Sequence, residues 1–217
     1  MSSFFINGAK YALSRVLGPA VAVTAVTNAN PAVATAATLP AQGDIVVFNS
    51  NWSELLGGVA TKVGTSGSGT FELLEIDSTD TSRYPAGEGI GAYQVASSFV
   101  SLTQIRDFTS DGGEQNYFNY QYVDDPSSRE RRKPTNKSAQ GYTLVLDYDP
   151  NLPWYDSAIE LDRKQQKVVL REILPTGDTV LYYGYMSFNK VPSKVVNENM
   201  TVQLTFSLDS DPVRIPA

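Results

Sequence analysis

Side chains able to do chemistry are scarce in this chain. Its 217 residues include no histidine and no cysteine. That removes the commonest general base and the commonest zinc ligand, and with them disulfides and thiol chemistry. Carboxylates remain. Asp77 with Asp80, and Asp107 with Asp111, could offer oxygens to calcium, but neither stretch has the pattern of an EF-hand loop. Turn and loop roles account for them better. Asp209 and Asp211 read as the end of a strand. Asp124 and Asp125 could be imagined as a glycosidase pair, yet adjacent strand residues point to opposite faces. No catalytic residue, cofactor site or metal site is expected. Asn-X-Ser/Thr triplets begin at Asn51, Asn136 and Asn199, and mean nothing in a protein that is not secreted.

Two other groups of side chains could bind rather than react. Tyr117, Tyr120, Tyr122, Tyr182, Tyr183 and Tyr185 could stack on sugars, but packing in a core or between subunits suits them better. Arg129, Arg131, Arg132 and Lys133, with Glu130 among them, form the one basic cluster. It could be a solvated loop, a contact for an acidic partner, or a DNA contact. The net charge of −6 opposes the last, because phosphate binding needs clustered positive charge.

The elements that must position these groups are mostly strands. Residues 179–190 and 197–209 are two strand-type runs joined by a proline-containing connector, 191–196. In the second run Met200, Val202, Leu204, Phe206 and Leu208 fall on one side. Thr201, Gln203, Thr205, Ser207 and Asp209 fall on the other. A period of two marks a strand with one apolar and one wet face, so the pair predicts a long antiparallel hairpin. A second hairpin is expected from residues 114–123 and 141–149, with 124–140 as a long polar loop containing Pro126 and Pro134. Loops of that length are uncommon and usually functional or disordered. Earlier in the chain, strands are expected over 21–26, 43–48 and 94–108. A glycine-rich hairpin is expected over 61–76, and a loop over 77–91. Residues 153–162 predict a helix, with proline in the first turn and a Trp154/Ala158/Leu161 stripe. Residues 166–174 return to strand, followed by a turn at 175–178.

With 41% hydrophobic and 18% charged residues, the chain is not expected to be disordered. The apolar stretch within 20–41 is too broken for a transmembrane helix or an export signal, so a cytosolic product is expected. The pattern implies an all-β fold with one short helix, a β-sandwich or open barrel. The division expected is an N-terminal arm (1–40), a β domain (41–213) with a hairpin and loop excursion at 57–92, and a short tail (214–217).

Over residues 99–213 the chain resembles the tail tube proteins, or major tail proteins, of long-tailed, siphovirus-type bacteriophages. The resemblance runs through Tyr117-Phe118-Asn119-Tyr120-Gln121-Tyr122-Val123-Asp124-Asp125, then the polar loop, then Lys137-Ser138-Ala139-Gln140-Gly141-Tyr142-Thr143-Leu144. It continues through Ala158-Ile159-Glu160-Leu161 and Pro175-Thr176-Gly177-Asp178-Thr179-Val180-Leu181-Tyr182-Tyr183-Gly184 into the two-faced final strand. It implies a structural virion protein, not an enzyme, that forms stacked hexameric rings. Each subunit would lend four strands, from its two long hairpins, to an inner barrel shared around the ring. Twenty-four strands about 4.8 Å apart, tilted about 40°, close a circle roughly 48 Å across, with a bore of about 38 Å. The resemblance further implies that Asn119, Gln121, Thr143, Asp147, Thr201, Gln203, Thr205 and Ser207 face that bore. Asp124, Asp125, Arg129, Arg131, Arg132 and Lys133 would sit in a loop meeting the next ring. Implied partners are other copies of the chain, and tail terminator, tape measure and baseplate proteins. Genomic DNA would pass without specific binding, no membrane is involved, and the product would be made in the host bacterial cytoplasm. The alternative is a carbohydrate-binding, adhesin-like β-sandwich decorating a virion or cell surface.

Overall fold

The alternation around Val202, Leu204 and Phe206 is realised as a strand in the computed structural model, which describes residues 7–127, 129–194 and 197–217. Fifteen strands and one α-helix follow in order: β1 (Lys10–Leu17), β2 (Val21–Val26), β3 (Ala32–Ala36), β4 (Ile45–Ser50), β5 (Val59–Gly67), β6 (Thr70–Leu73), β7 (Gly91–Leu102), β8 (Ile105–Asp111), β9 (Gln115–Tyr120), β10 (Arg131–Lys137), β11 (Gly141–Asp147), α1 (Pro153–Lys164), β12 (Lys167–Ile173), β13 (Thr179–Asn189), β14 (Thr201–Leu208) and β15 (Val213–Ile215).

Six of these close a barrel in the order β2-β3-β6-β5-β4-β7, with β2 returning to pair with β7. Closure at six strands leaves a narrow interior, so small residues must face large ones. Ala34 lies opposite Phe71 and Ala32 opposite Leu73; Phe48, Trp52 and Tyr93 fill the rest. The alanines that make β3 a weak strand by propensity are what lets the barrel close.

β7 then leaves the barrel. Its first half pairs with β4 and its second half with β1, and it opens a second sheet, β7-β1-β12-β13-β14-β11-β8. α1 covers one face of that sheet. Trp154, Ala158 and Leu161 pack with Leu13, Leu144, Leu170, Tyr182, Leu204 and Phe206 in one core. The opposite face of β12 and β13 presents Val169, Leu181 and Tyr183 to Ile45, Val47 and Ala60 on the outside of the barrel. α1 ends two residues beyond the expected helix, where Gln165 adopts a left-handed φ of 50° and its N–H bonds Leu161 O.

The structure corrects several expectations. Residues 10–36 are not an arm; β1 is an inner strand of the second sheet, and β2 and β3 are barrel staves. Residues 1–6 lie outside the described residues. The 57–92 stretch is no excursion, because β5 and β6 are also staves. The strand expected over 94–108 is two strands, broken at Gln104 with a left-handed φ of 61°. The β13–β14 hairpin forms as expected, Gly184 opposite Leu208 through Asn189 opposite Gln203; Val195 and Val196 of its connector lie outside the described residues. The other expected hairpin does not form. β11 pairs with β14 and β8. β9 pairs instead with β10, inside the stretch expected as loop.

Candidate assembly surfaces

The face of β13, β14, β11 and β8 turned away from α1 carries ordered rows of small polar side chains. Register places Ser187, Thr205, Thr143 and Thr109 in one row. The row on one side holds Asn189, Gln203, Val145 and Asp107; the row on the other holds Tyr185, Ser207, Gly141 and Asp111. A bulge in β8 brings Arg106 onto Asp147, which it ion-pairs, beside Thr201. The face carries three aspartates against one arginine, so it is polar and weakly acidic.

Thr143, Asp147, Thr201, Gln203, Thr205 and Ser207 therefore share one surface, as their alternation with buried neighbours requires. Asn119 and Gln121 do not join them. Asn119 is on β9 and Gln121 just beyond it, in a separate two-stranded sheet. Four strands do build the face, but β8 supplies the fourth. Asp107 and Asp111, expected in turns or loops, and Thr109 belong to this face; the sequence does not reveal it because residues 105–111 alternate only weakly once Phe108 is taken as a strand end.

β9 and β10 form a hairpin projecting from the corner between β8 and β11. Arg131 lies opposite Tyr120, Arg132 opposite Asn119 and Lys133 opposite Phe118. Asp125 accepts hydrogen bonds from Ser127 N and Oγ at 3.0 and 2.6 Å. It also ion-pairs Arg131 at 3.0 Å. The Ser127 bonds, then Arg131, hold its carboxyl below the usual range. Asp124, Arg129, Arg132 and Lys133 are exposed. The other singled-out aspartates have local work: Asp77 accepts from Thr79 N, and Asp80 from Ser82 N, both at 3.0 Å, closing turns. Of the tyrosines, Tyr182 and Tyr183 are buried while Tyr117 and Tyr122 are exposed.

The sequence pattern of the family described as "Phage tail tube protein, TTP" matches residues 50–217. The chain belongs to the phage tail tube protein family. The match begins at the end of β4, so β1 to β3 lie outside it although they are integral to both sheets. A comparison with curated proteins finds no match. Nine solved chains match in structure. One is described as "Tail of empty GTA particle computed with helical refinement, C6 symmetry"; at 7% identity it covers 56% of this chain and 88% of that chain, with a TM-score of 0.41, too loose a likeness to carry a functional argument. As a tail tube protein the chain has a structural role, and its place is the tail of a phage-type particle. Among the described residues no helix is long and apolar enough to cross a membrane.

The two margins of this tail tube protein's polar face differ. β8 has no strand on its outer edge among the described residues. At the other margin β13 runs past the end of β12 from Met186 to Asn189, and Asp162 accepts the Phe188 N–H there at 3.1 Å. Lys167 ties the sheet to the barrel, reaching Asp209 at 2.5 Å and Gly57 O at 3.3 Å.

Proposed function

We propose that the protein assembles into hexameric rings that stack into the tail tube through which DNA passes into the host. The four-strand polar face carries this reading. A sheet with one side sealed by α1 and the other lined by Thr143, Thr205, Gln203 and Ser207 suits the wall of a water-filled bore. Strand order supports closure. β13, β14, β11 and β8 alternate in direction, so the open β8 edge of one protomer would meet the β13 margin of the next antiparallel, extending the order around the ring. An open edge is an aggregation hazard in a monomer; closed symmetry turns it into the bonding rule.

The wall would pass DNA without holding it, because weakly acidic polar rows offer phosphates no counter-charge. Asn119 and Gln121 are better placed on the hairpin between rings than on the wall. That hairpin, with Asp124, Asp125, Arg129, Arg131, Arg132 and Lys133, would meet the next ring. Terminator, tape measure and baseplate proteins would engage the finished tube or its bore. No catalytic step and no cofactor enters this role, and the protein would be made in the bacterial cytoplasm.

Negative-stain microscopy of concentrated protein tests the reading. Wild type is expected to give tubes or rings with six-fold views. An R131E/R132E double variant should stay folded and fail to lengthen. Wild-type material that remains strictly monomeric at every concentration would sink the proposal.

A further inference from the structure

A groove of about 790 Å³ opens where β7 turns into β8, with Asn7, Ala9, Tyr11, Leu102, Ile105 and Phe108 in its lining. It takes in the first half of β8, whose outer edge has no partner strand among the described residues. The core is thinly covered here. Leu144 and Leu146 on β11 are fully buried, yet Phe108 and Ile105, directly across from them, are only half-buried.

Followed backwards, β1 leads into this groove. Tyr11 lies opposite Leu102 and Leu13 opposite Val100. Gly8 and Gln104 then both take a left-handed φ, 97° and 61°, so the two chains turn at the same level, and Asn7 joins the groove lining with Arg106 and Asp107. Counted on in that register, Phe5 falls opposite Phe108 and Ser2 opposite Asp111. The six residues before Asn7 are Met1-Ser2-Ser3-Phe4-Phe5-Ile6, without a charged side chain. At about 3.3 Å per residue they span about 20 Å, close to the length of the seven-residue β8. Phenylalanine and isoleucine suit a strand. The tether also holds this segment at an effective concentration on the order of millimolar, above that of a second copy in dilute solution. We infer that residues 2–6 of each unassembled copy lie along the outer edge of β8 as a guard strand, with Phe5 covering Phe108. The same edge is the one proposed above to meet β13 of the next copy. On that reading the guard must leave before a ring closes, and until then it keeps monomers from pairing edge to edge.

The full chain carrying Phe5→benzoylphenylalanine is mixed with isotope-labelled wild type and irradiated as dilute monomer. Adducts are expected on residues 105–109 of the same chain. In F4S/F5S, hydrogen exchange along β8 is expected to quicken while β14 exchanges as in wild type. A guard docked about nine-tenths of the time leaves one copy in ten competent, so F4S/F5S should assemble at a concentration about tenfold lower. Adducts elsewhere on the chain or on the labelled copy, or unchanged exchange along β8, would overturn the guard. So would F4S/F5S protein that needs as high a concentration as wild type or a higher one, the latter making the segment a bond between copies. Wild type that never forms rings would sink the assembly reading alone, because the adducts and the exchange are read on the monomer.

Discussion

Glu172 is a carboxyl side chain buried in the core. It is 4% exposed and accepts Tyr11 Oη at 2.6 Å and Tyr182 Oη at 2.5 Å. A carboxylate this deep persists only if its oxygens are satisfied. Burial, then the bond to Glu172, pushes both tyrosine hydroxyls well above their ordinary value. Their folded-state pKa exceeds the unfolded one. The stabilisation is therefore complete below pH of about 10, the ordinary tyrosine value, and is lost as pH rises beyond it. Alkaline spectrophotometric titration should show two tyrosines that ionise only as the protein unfolds. Tyr182→Phe should remove one of them and cost about 1–3 kcal/mol by leaving Glu172 short of a donor. Reversible ionisation of both before the near-ultraviolet circular dichroism changes would contradict this. Gly184 shows a different constraint. A Cβ there would sit 2.0 Å from Ser207 O, so the closeness of β13 to β14 depends on its missing side chain.

At the scale of elements, the hairpin is set by its base. Gly112 and Gly113 have φ of +77° and +79°, a region that favours glycine. A Cβ on Gly112 would meet Ala139 O at 1.9 Å, whereas one on Gly113 has nothing nearer than 3.6 Å. Ser138 clamps the crossing, donating from its N to Glu114 O at 2.8 Å and accepting Glu114 N on Oγ at 2.9 Å. Gly112→Ala should leave barrel and sheet folded yet misdirect the hairpin, so that tubes do not grow. Gly113→Ala should cost only about 1–2 kcal/mol of backbone strain and still assemble. Microscopy of both checks this, with hydrogen exchange along β9 and β10; tubes of normal length from Gly112→Ala would refute the elbow. β14 and α1 were legible because each buries one regular stripe, Val202/Leu204/Phe206 and Trp154/Ala158/Leu161. β10 was not, because Arg131-Arg132-Lys133-Pro134 has water on both faces, and a strand without a buried side leaves no alternation to read.

For the whole molecule, the barrel and the outer side of the sheet share a core through Val47 and Leu181. α1 seals the other side, leaving the polar rows of β13, β14, β11 and β8 as the broad wet face. If those rows line a bore, their charge should govern transit. Thr205→Lys with Gln203→Lys should leave assembly intact, since both side chains point away from the core. The tubes should then retain duplex DNA at low salt and release it as salt rises. A filter-retention assay on assembled tubes measures this. Retention indistinguishable from wild type would remove these residues from the wall.

What the sequence determined by itself was the class of protein and the two-faced hairpin at its end. Absent histidine and cysteine, a negative net charge and strict alternation are local facts, and they survive any packing. Which strand lies beside which was decided only in three dimensions. Pairing joins residues far apart in the chain, and locally the run forming β9 reads as the better strand than the run forming β8. β8 takes the place beside β11 because Phe108 can reach the core formed by Tyr11, Tyr142 and Tyr182, while Gly112 and Gly113 turn β9 away from it.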